Sequence, residues 1–242
     1  MQIPLTCAHI SDFHYDGPYS LSCVEQAVAL LQRHPVDFVC LTGDYTSRKV
    51  PDEQAYSESL RAISQHALTM AIFGNHDGGA YMSSVRGGPS TTEALRKLLE
   101  GSGITVFENT RETLTVRKQE LEITGLADLW SGKNFLPWKL LLPGKNPSLV
   151  MAHNPDSKDF YARYPWDLML SGHTHGGQVV IPGMGAPFVP VQDTKRVYGL
   201  FDLPNSKQVH ITSGVGNLRG IRINCRPEIA ILKLVPGTQL EY

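Results

Sequence analysis

The sequence predicts an α/β chain folded as one αββα sandwich of four layers, two mixed β-sheets flanked by helices, in a single domain over residues 1–242. Three observations point there. The first half alternates apolar strand-like runs with amphipathic helical segments in the order β-α-β-α-β, which favours a largely parallel sheet with covering helices. The second half changes to short strands and hairpins, as a second sheet would require. Polar donors recur directly after the apolar runs, where the carboxyl ends of neighbouring strands converge on one crevice.

Residues 5–10 read as a first buried strand. Residues 20–33 space Val24, Ala27, Val28 and Leu31 helically, with Ser20 or Ser22 as the cap and Pro35 as the stop. A second strand over 36–41 ends at Gly43-Asp44. Residues 54–66 form a second helix with Tyr56, Leu60 and Ile63 on one face, and a third strand over 68–73 ends at Gly74-Asn75. Residues 78–89 are Gly-rich, a lid or a plain loop. Ser90-Thr91-Thr92-Glu93 matches a capping box for a helix that stops at Gly101. A short strand over 104–107 follows, then strands 114–116 and 121–123 flanking 117–120 as a hairpin with one wet face. Residues 149–152 deliver His153, 157–164 form a short helix, and 167–170 lead to Gly172-His173. Strands over 178–181, 198–202, 209–212 and 229–234 complete the chain.

Composition narrows the function. With 242 residues, 41% of them hydrophobic, the chain can bury a full core. A net charge of −1 and 19% charged residues lack the basic footprint of a nucleic-acid binder, so no nucleic-acid partner is expected. Cys7, Cys23, Cys40 and Cys225 have no CxxC spacing, which argues against a zinc ribbon or redox motif. Cys7 and Cys40 sit in strand-like runs as small hydrophobes, and a reducing, cytoplasmic compartment is expected. A first strand starting near Ile3 leaves no room for a signal peptide, and no run approaches the roughly 20 apolar residues of a membrane span. Trp130, Phe135 and Trp138, with Leu140, Leu141 and Leu142, read either as core or as a substrate- or membrane-facing flap. Lys133, Lys139 and Lys145 would suit an anionic lipid surface or a solvated face equally. Oligomeric state is not legible.

The chemistry lies in five short pieces. Asp12 and His14 share a face after the first strand while Phe13 points into the core. Asp44 follows Gly43, whose missing side chain permits close approach, and is the candidate bridging carboxylate. Asn75 offers a neutral carbonyl oxygen, and His153, His173 and His175 offer imidazoles. Two divalent cations about 3.5–4 Å apart are the usual clamp for in-line displacement at phosphorus. This mixed shell suits Mn, Fe, Zn or Ni. A hydroxide bridging the cations is the expected nucleophile. His76 would protonate the leaving oxygen or bind the phosphoryl group, with Asp77 orienting it. Arg86, Arg219 and Arg222 are candidates for substrate phosphate, ordinary salt bridges being the alternative. Asp128 is a candidate outer partner for a ligand histidine. His9 reads as a packed core histidine, and His34, His66 and His210 as solvent-facing or structural.

The ordered set Asp12-x-His14, Gly43-Asp44, Gly74-Asn75-His76-Asp77, His153 and Gly172-His173-Thr174-His175 resembles the calcineurin-like metallophosphoesterase superfamily. That resemblance implies the metallo-dependent phosphatase fold and a binuclear centre. One cation would sit on Asp12, His14, Asp44 and His175, the other on Asp44, Asn75, His153 and His173, with His76 catalytic. Gly172 to Gln178, Leu126-Ala127-Asp128-Leu129-Trp130, His153-Asn154-Pro155-Asp156 and Asn224-Cys225-Arg226-Pro227-Glu228 are similar to small bacterial phosphodiesterases of the YaeI/YkuE type. They imply a phosphodiesterase acting on a phosphate ester, with manganese the leading metal. Two alternatives accompany the resemblance. One is a UDP-2,3-diacylglucosamine-type pyrophosphatase of lipid A synthesis, the other a non-catalytic protein-binding scaffold on the same fold. Relatives with an N-terminal export or anchor segment make the envelope, or peripheral membrane contact, the alternative to a cytoplasmic location.

Overall fold

The computed structural model describes residues 3–132, 138–218 and 220–235. Its first half builds β1 (Leu5–Ile10), α1 (Pro18–Leu31), β2 (Phe38–Leu41), α2 (Glu53–His66), β3 (Leu68–Ala71), α3 (Glu93–Gly101) and β4 (Thr105–Val106). Its second half builds β5 (Thr110–Val116), β6 (Gln119–Gly125), β7 (Ser148–Met151), α4 (Ser157–Phe160), β8 (Leu168–Ser171), β9 (Gly199–Leu203), β10 (Lys207–Ile211) and β11 (Ala230–Leu234). The strands form two sheets, ordered β11-β1-β2-β3-β4 and β5-β6-β7-β8-β10-β9. In the first, β1 to β4 are parallel and β11 runs antiparallel at the edge. In the second, β6, β7, β8 and β10 are parallel between antiparallel β5 and β9.

Alternation along the strands sorts the core into three layers. Ala8, Ile10, Val39, Leu41 and Ala71 meet Val24, Val28, Leu31, Tyr56, Leu60, Ile63 and Leu99 of the helices. Leu5, Cys7, Phe38, Cys40 and Met70 face Leu121, Ile123, Leu149, Met151 and Leu170 between the sheets. Val150, Met169, Val209 and Ile211 pack beneath Leu141, Tyr161 and Trp166 on the far side. The four layers are those the sequence predicts. All four cysteines are free, with Cys7 and Cys40 in the middle layer.

The ends of elements differ from expectation for local reasons. The first helix starts at Pro18 behind Gly17, because proline suits the opening turn. Ser20 lies inside that turn, and its hydroxyl accepts the Gly17 N–H at 3.1 Å. The capping box at Ser90 does not form, since α3 begins only at Glu93 and its cap, Thr92, makes no side-chain cap bond. The β5–β6 hairpin turns on Arg117 (φ 48°) and Lys118 (φ 64°), the left-handed pair that a two-residue hairpin needs. Residues 178–181 make only the isolated bridges Val179↔Ile223 and Ile181↔Gly185, not a strand. The helix expected over 157–164 is the single turn of α4.

Leu141 takes the core alternative, while Leu142 is 45% exposed. Leu141 is buried in the outer core layer, and Arg111 donates to the carbonyls of Leu140 (3.0 Å) and Leu142 (2.7 Å). Phe135 and Lys133 lie outside the described residues, as does the Trp138 side chain. His9 is buried, with one ring nitrogen 2.8 Å from His210 and the other 2.8 Å from Thr42 Oγ1. His210 is therefore a structural histidine between the sheets. No helix among the described residues is long and apolar enough to cross a membrane.

Phe38 is fully buried at the centre of the middle layer. Phe38→Ala should cost about 3–5 kcal/mol by transfer and cavity terms. Urea unfolding measures this, and a loss below about 1 kcal/mol would contradict the packing described.

Candidate metal centre

The parallel strands of both sheets end at one edge, and the loops leaving them carry the donors. Asp12 and His14 follow β1, Asp44 follows β2 and Asn75 follows β3. From the second sheet, His153 follows β7, and His173 and His175 follow β8. All seven are buried. Six of them fall into two donor groups, Asp12–His14–His175 and Asp44–His153–His173, each with ligand atoms within 4.8 Å of one another. Asp44 Oδ2 joins the groups, lying 3.4 Å from His14 Nε2 and 3.2 Å from His153 Nε2. Asn75 Oδ1 is buried without a hydrogen-bond partner among the described residues. Such an orphaned acceptor costs about 1–3 kcal/mol unless something fills its lone pairs. The residues present therefore fit a pair of divalent cations.

The backbone at these positions is strained. Asp12 (φ 56°), His14 (φ 46°), Asp44 (φ 57°), His173 (φ 70°) and His175 (φ 51°) all sit in the left-handed region. Each such residue costs on the order of 1–3 kcal/mol and persists only where its surroundings over-determine it. Here the loops brace one another. Asp12 N–H donates to Gly43 O at 2.9 Å, His14 N–H to Asp44 O at 3.0 Å, and Gly172 N–H to His153 O at 3.0 Å. Packing is tight enough that a Cβ on Gly74 would collide with the Asp44 carboxylate, and one on Gly172 with Ser11 and Asp12. That contact explains the glycine before each donor in GN and GH.

Hydrogen bonds from behind fix which nitrogen faces the crevice. His153 Nδ1 donates to Thr42 O at 2.7 Å, freeing Nε2. His173 Nε2 donates to Pro190 O at 3.1 Å, freeing Nδ1, which lies 3.2 Å from His153 Nε2. Such outer bonds orient ligand imidazoles. Burial, with the His153 charge adding to it, lowers His173 to about 3. Burial, His14 and Arg222 together depress His175. Burial pushes Asp44 up, but His153 and His76 by charge, and His14 and His153 by hydrogen bond, hold it well below the usual carboxylate range. Burial would depress His153, yet Asp44, Asp12 and Asp128 raise it well above the ordinary histidine value. Carboxylates and imidazoles thus neutralise one another only in part.

Two expected roles change. Among the described residues the Asp77 carboxylate makes no hydrogen bond to the His76 ring. It accepts the N–H groups of Gly74 (2.7 Å), Asp44 (2.8 Å) and Tyr45 (2.7 Å), clamping the loop after β3 to the loop after β2. The His76 ring instead places Nδ1 3.3 Å from Ser47 O, while its backbone N–H holds Asp44 Oδ1 at 2.8 Å. Arg222 is committed to protein acceptors, the carbonyls of Gly216 (2.6 Å), Ser213 (2.7 Å) and His175 (3.3 Å), so it ties loops behind His175 together. Arg86 ends a helical turn, Met82–Arg86, and its Nε donates to Tyr81 Oη at 3.2 Å, with its charge felt at His76. Arg219 lies outside the described residues. A feature not expected from sequence is an aromatic wall from His76 through Tyr81 (5.6 Å between centroids) and Trp130 (5.2 Å) to His173 (4.7 Å). Only the side-chain types signalled it.

Two adjoining donor groups, with Asp44 Oδ2 of one reaching His14 of the other, set at the carboxyl ends of two facing sheets, are the arrangement of a dinuclear metallohydrolase. The chain belongs to the calcineurin-like phosphoesterase family, whose profile matches residues 5–177, and it is a metal-dependent phosphoesterase. It is 37% identical over 236 residues to phosphodiesterase YaeI of Escherichia coli K12, covering 96% of this chain and 83% of that protein. It is 24% identical over 276 residues to UDP-2,3-diacylglucosamine pyrophosphatase LpxG of Chlamydia muridarum, covering 95% and 83%. Among solved structures, TT1561 of Thermus thermophilus superposes with a TM-score of 0.52 at 12% identity, over 88% of this chain and 91% of that one.

The Asp77 clamp yields a prediction. Asp77→Asn turns an acceptor toward a donor against these backbone N–H groups and should cost about 2–4 kcal/mol. Cation uptake should weaken with it. A variant with unchanged melting temperature and metal content would contradict the clamp.

Proposed function

We propose that the chain is a phosphodiesterase whose two cations sit on Asp12, His14, Asp44 and His175, and on Asp44, Asn75, His153 and His173. The observation that carries this is Asp44 Oδ2, 3.4 Å from an imidazole of one group and 3.2 Å from an imidazole of the other. Two divalent cations, manganese first among candidates of this nitrogen and oxygen shell, would supply Lewis acidity and a water-derived nucleophile at neutral pH. The protein residues set the geometry around them. His76 Nδ1 lies against Ser47 O, which leaves Nε2 for the leaving oxygen. Burial lowers its pKa, with His14 and Arg86 adding to that effect against Asp44. A bound phosphate's negative charge favours the imidazolium, the form that can donate to a leaving oxygen. Arg86, one turn beyond Tyr81, stands as the arginine for the phosphoryl group.

Metal-reconstituted protein should cleave bis-p-nitrophenyl phosphate faster than the monoester, and chelator should abolish the reaction. His76→Ala should retain both cations. It should lose about 10²–10⁴ in kcat on a diester with a poor leaving group, and less with p-nitrophenolate, which needs no proton. Wild-type rates on both would remove the acid role.

A second reading concerns an amphiphilic phosphate ester. Next to the centre, Phe188 is 87% and Met184 72% exposed, with Ile181, Ile221 and Ile223 exposed beside them. The Ile181↔Gly185 bridge closes the tip of this loop around Met184, and the Val179↔Ile223 bridge sets Ile223 against its start. The base of this loop is anchored, since Gln192 N–H donates to Asp156 at 2.9 Å and Lys158 pairs with Asp193 at 3.2 Å. Its tip is left apolar in solvent, and clustered exposed apolar residues mark interaction sites. The LpxG relative, named for a diacylated sugar nucleotide, adds support for a substrate with acyl chains or for contact with a lipid surface. Replacing Met184 and Phe188 together by serine should lower hydrolysis of a detergent-dispersed diacyl substrate and leave the soluble diester unchanged. Equal rates on the dispersed substrate would count against this reading.

A further inference from the structure

Every parallel strand of the second sheet ends at the crevice, and the loop after β6 brings Asp128 there, as the loops after β7 and β8 bring His153, His173 and His175. Asp128 is only 2% exposed. Its Oδ1 accepts the Trp130 N–H at 2.8 Å, closing a turn that also bonds Ser131 N–H to Asp128 O at 3.1 Å. Its Oδ2 is buried and has no partner among the described residues. Asn75 Oδ1 is orphaned in the same way. Asp128 acts electrostatically on His153 and on Asp44, two members of one donor group. The Trp130 ring, two residues on, packs 4.7 Å from the ring of His173, the third member. Burial, opposed by His153, raises the Asp128 carboxyl to about 6, a cost that the turn alone does not explain. An asparagine would close the same turn through its own oxygen without burying a charge. Among the described residues no ligand histidine bonds to this carboxylate, because the backing bonds come from the carbonyls of Thr42 and Pro190.

We propose that Asp128 is an outer anionic group of the cation position formed by Asp44, Asn75, His153 and His173, its free oxygen raising that position's affinity for a divalent cation without being one of its ligands. Asp128 is thus a positioning residue. The inference rests on the two-cation reading above.

The test is titration of Mn²⁺ into the metal-free full chain, wild type against Asp128→Asn, with melting temperatures of both metal-free proteins. Asparagine preserves the turn and removes the charge. The expected result is an affinity about 10-fold weaker for one of the two equivalents, the order expected for losing one buried negative charge that attracts the cation through space. The other equivalent should keep its wild-type affinity, and the metal-free melting temperature should not fall, because asparagine relieves the buried charge. A purely structural role would instead lower the melting temperature and leave both affinities in place. Two wild-type affinities in Asp128→Asn overturn this inference alone. A wild-type chain that takes up no Mn²⁺ overturns both it and the two-cation reading.

Discussion

Two aspartates and four histidines share one buried crevice, and the rest of the structure is arranged around what that costs. Asp12, Asp44, His14, His153, His173 and His175 are all almost fully shielded from water. Unpaired buried charge costs several kcal/mol per group. Mutual pairing relieves this only in part, since burial still raises Asp12 and depresses His173 and His175. A site so rich in lone pairs and so poor in donors fits a cation's needs better than its own. A scaffold built only to bind protein would have no reason to keep Asn75 Oδ1 bare.

That arrangement needs a rigid surround, and backbone supplies most of it. Asp12, His14, Asp44, His173 and His175 hold left-handed conformations that none would choose alone. What overrides their preference is a set of bonds between loops. Asp77 gathers three N–H groups, Arg222 ties the His175 carbonyl to carbonyls of the loop after β10, and Gly74 and Gly172 leave room for the carboxylates beside them. These residues keep the ligands from relaxing toward ordinary backbone geometry.

Much of this was legible in the sequence, and what was not has a physical reason. The strand–helix alternation through Phe73 and the polar residues after each strand are local patterns, so the four layers and the side chains that meet at the crevice could be read directly. Roles set by tertiary contact could not. Asp77 follows His76 in sequence, which suggests a partnership, but its side chain turns toward the loop after β2. Arg222 has the charge of a phosphate binder, yet nearby carbonyls in the loop after β10 claim it first. Ser90 matches a capping box, but the helix starts at Glu93. The carbonyls of Thr42 and Pro190 carry no side-chain signal at all, although they fix two imidazoles.

The way the donor groups are divided has one further consequence. Asp12 and His14 from the first sheet meet His175 from the second, and Asp44 from the first meets His153 and His173 from the second. Neither sheet owns a complete group. An ion bound at either position is therefore a cross-link between distant parts of the chain, made only after both sheets have formed and docked. A nascent or clipped chain holding one sheet has no finished group with which to capture an ion, and each ion, once bound, locks the seam on which its own site depends.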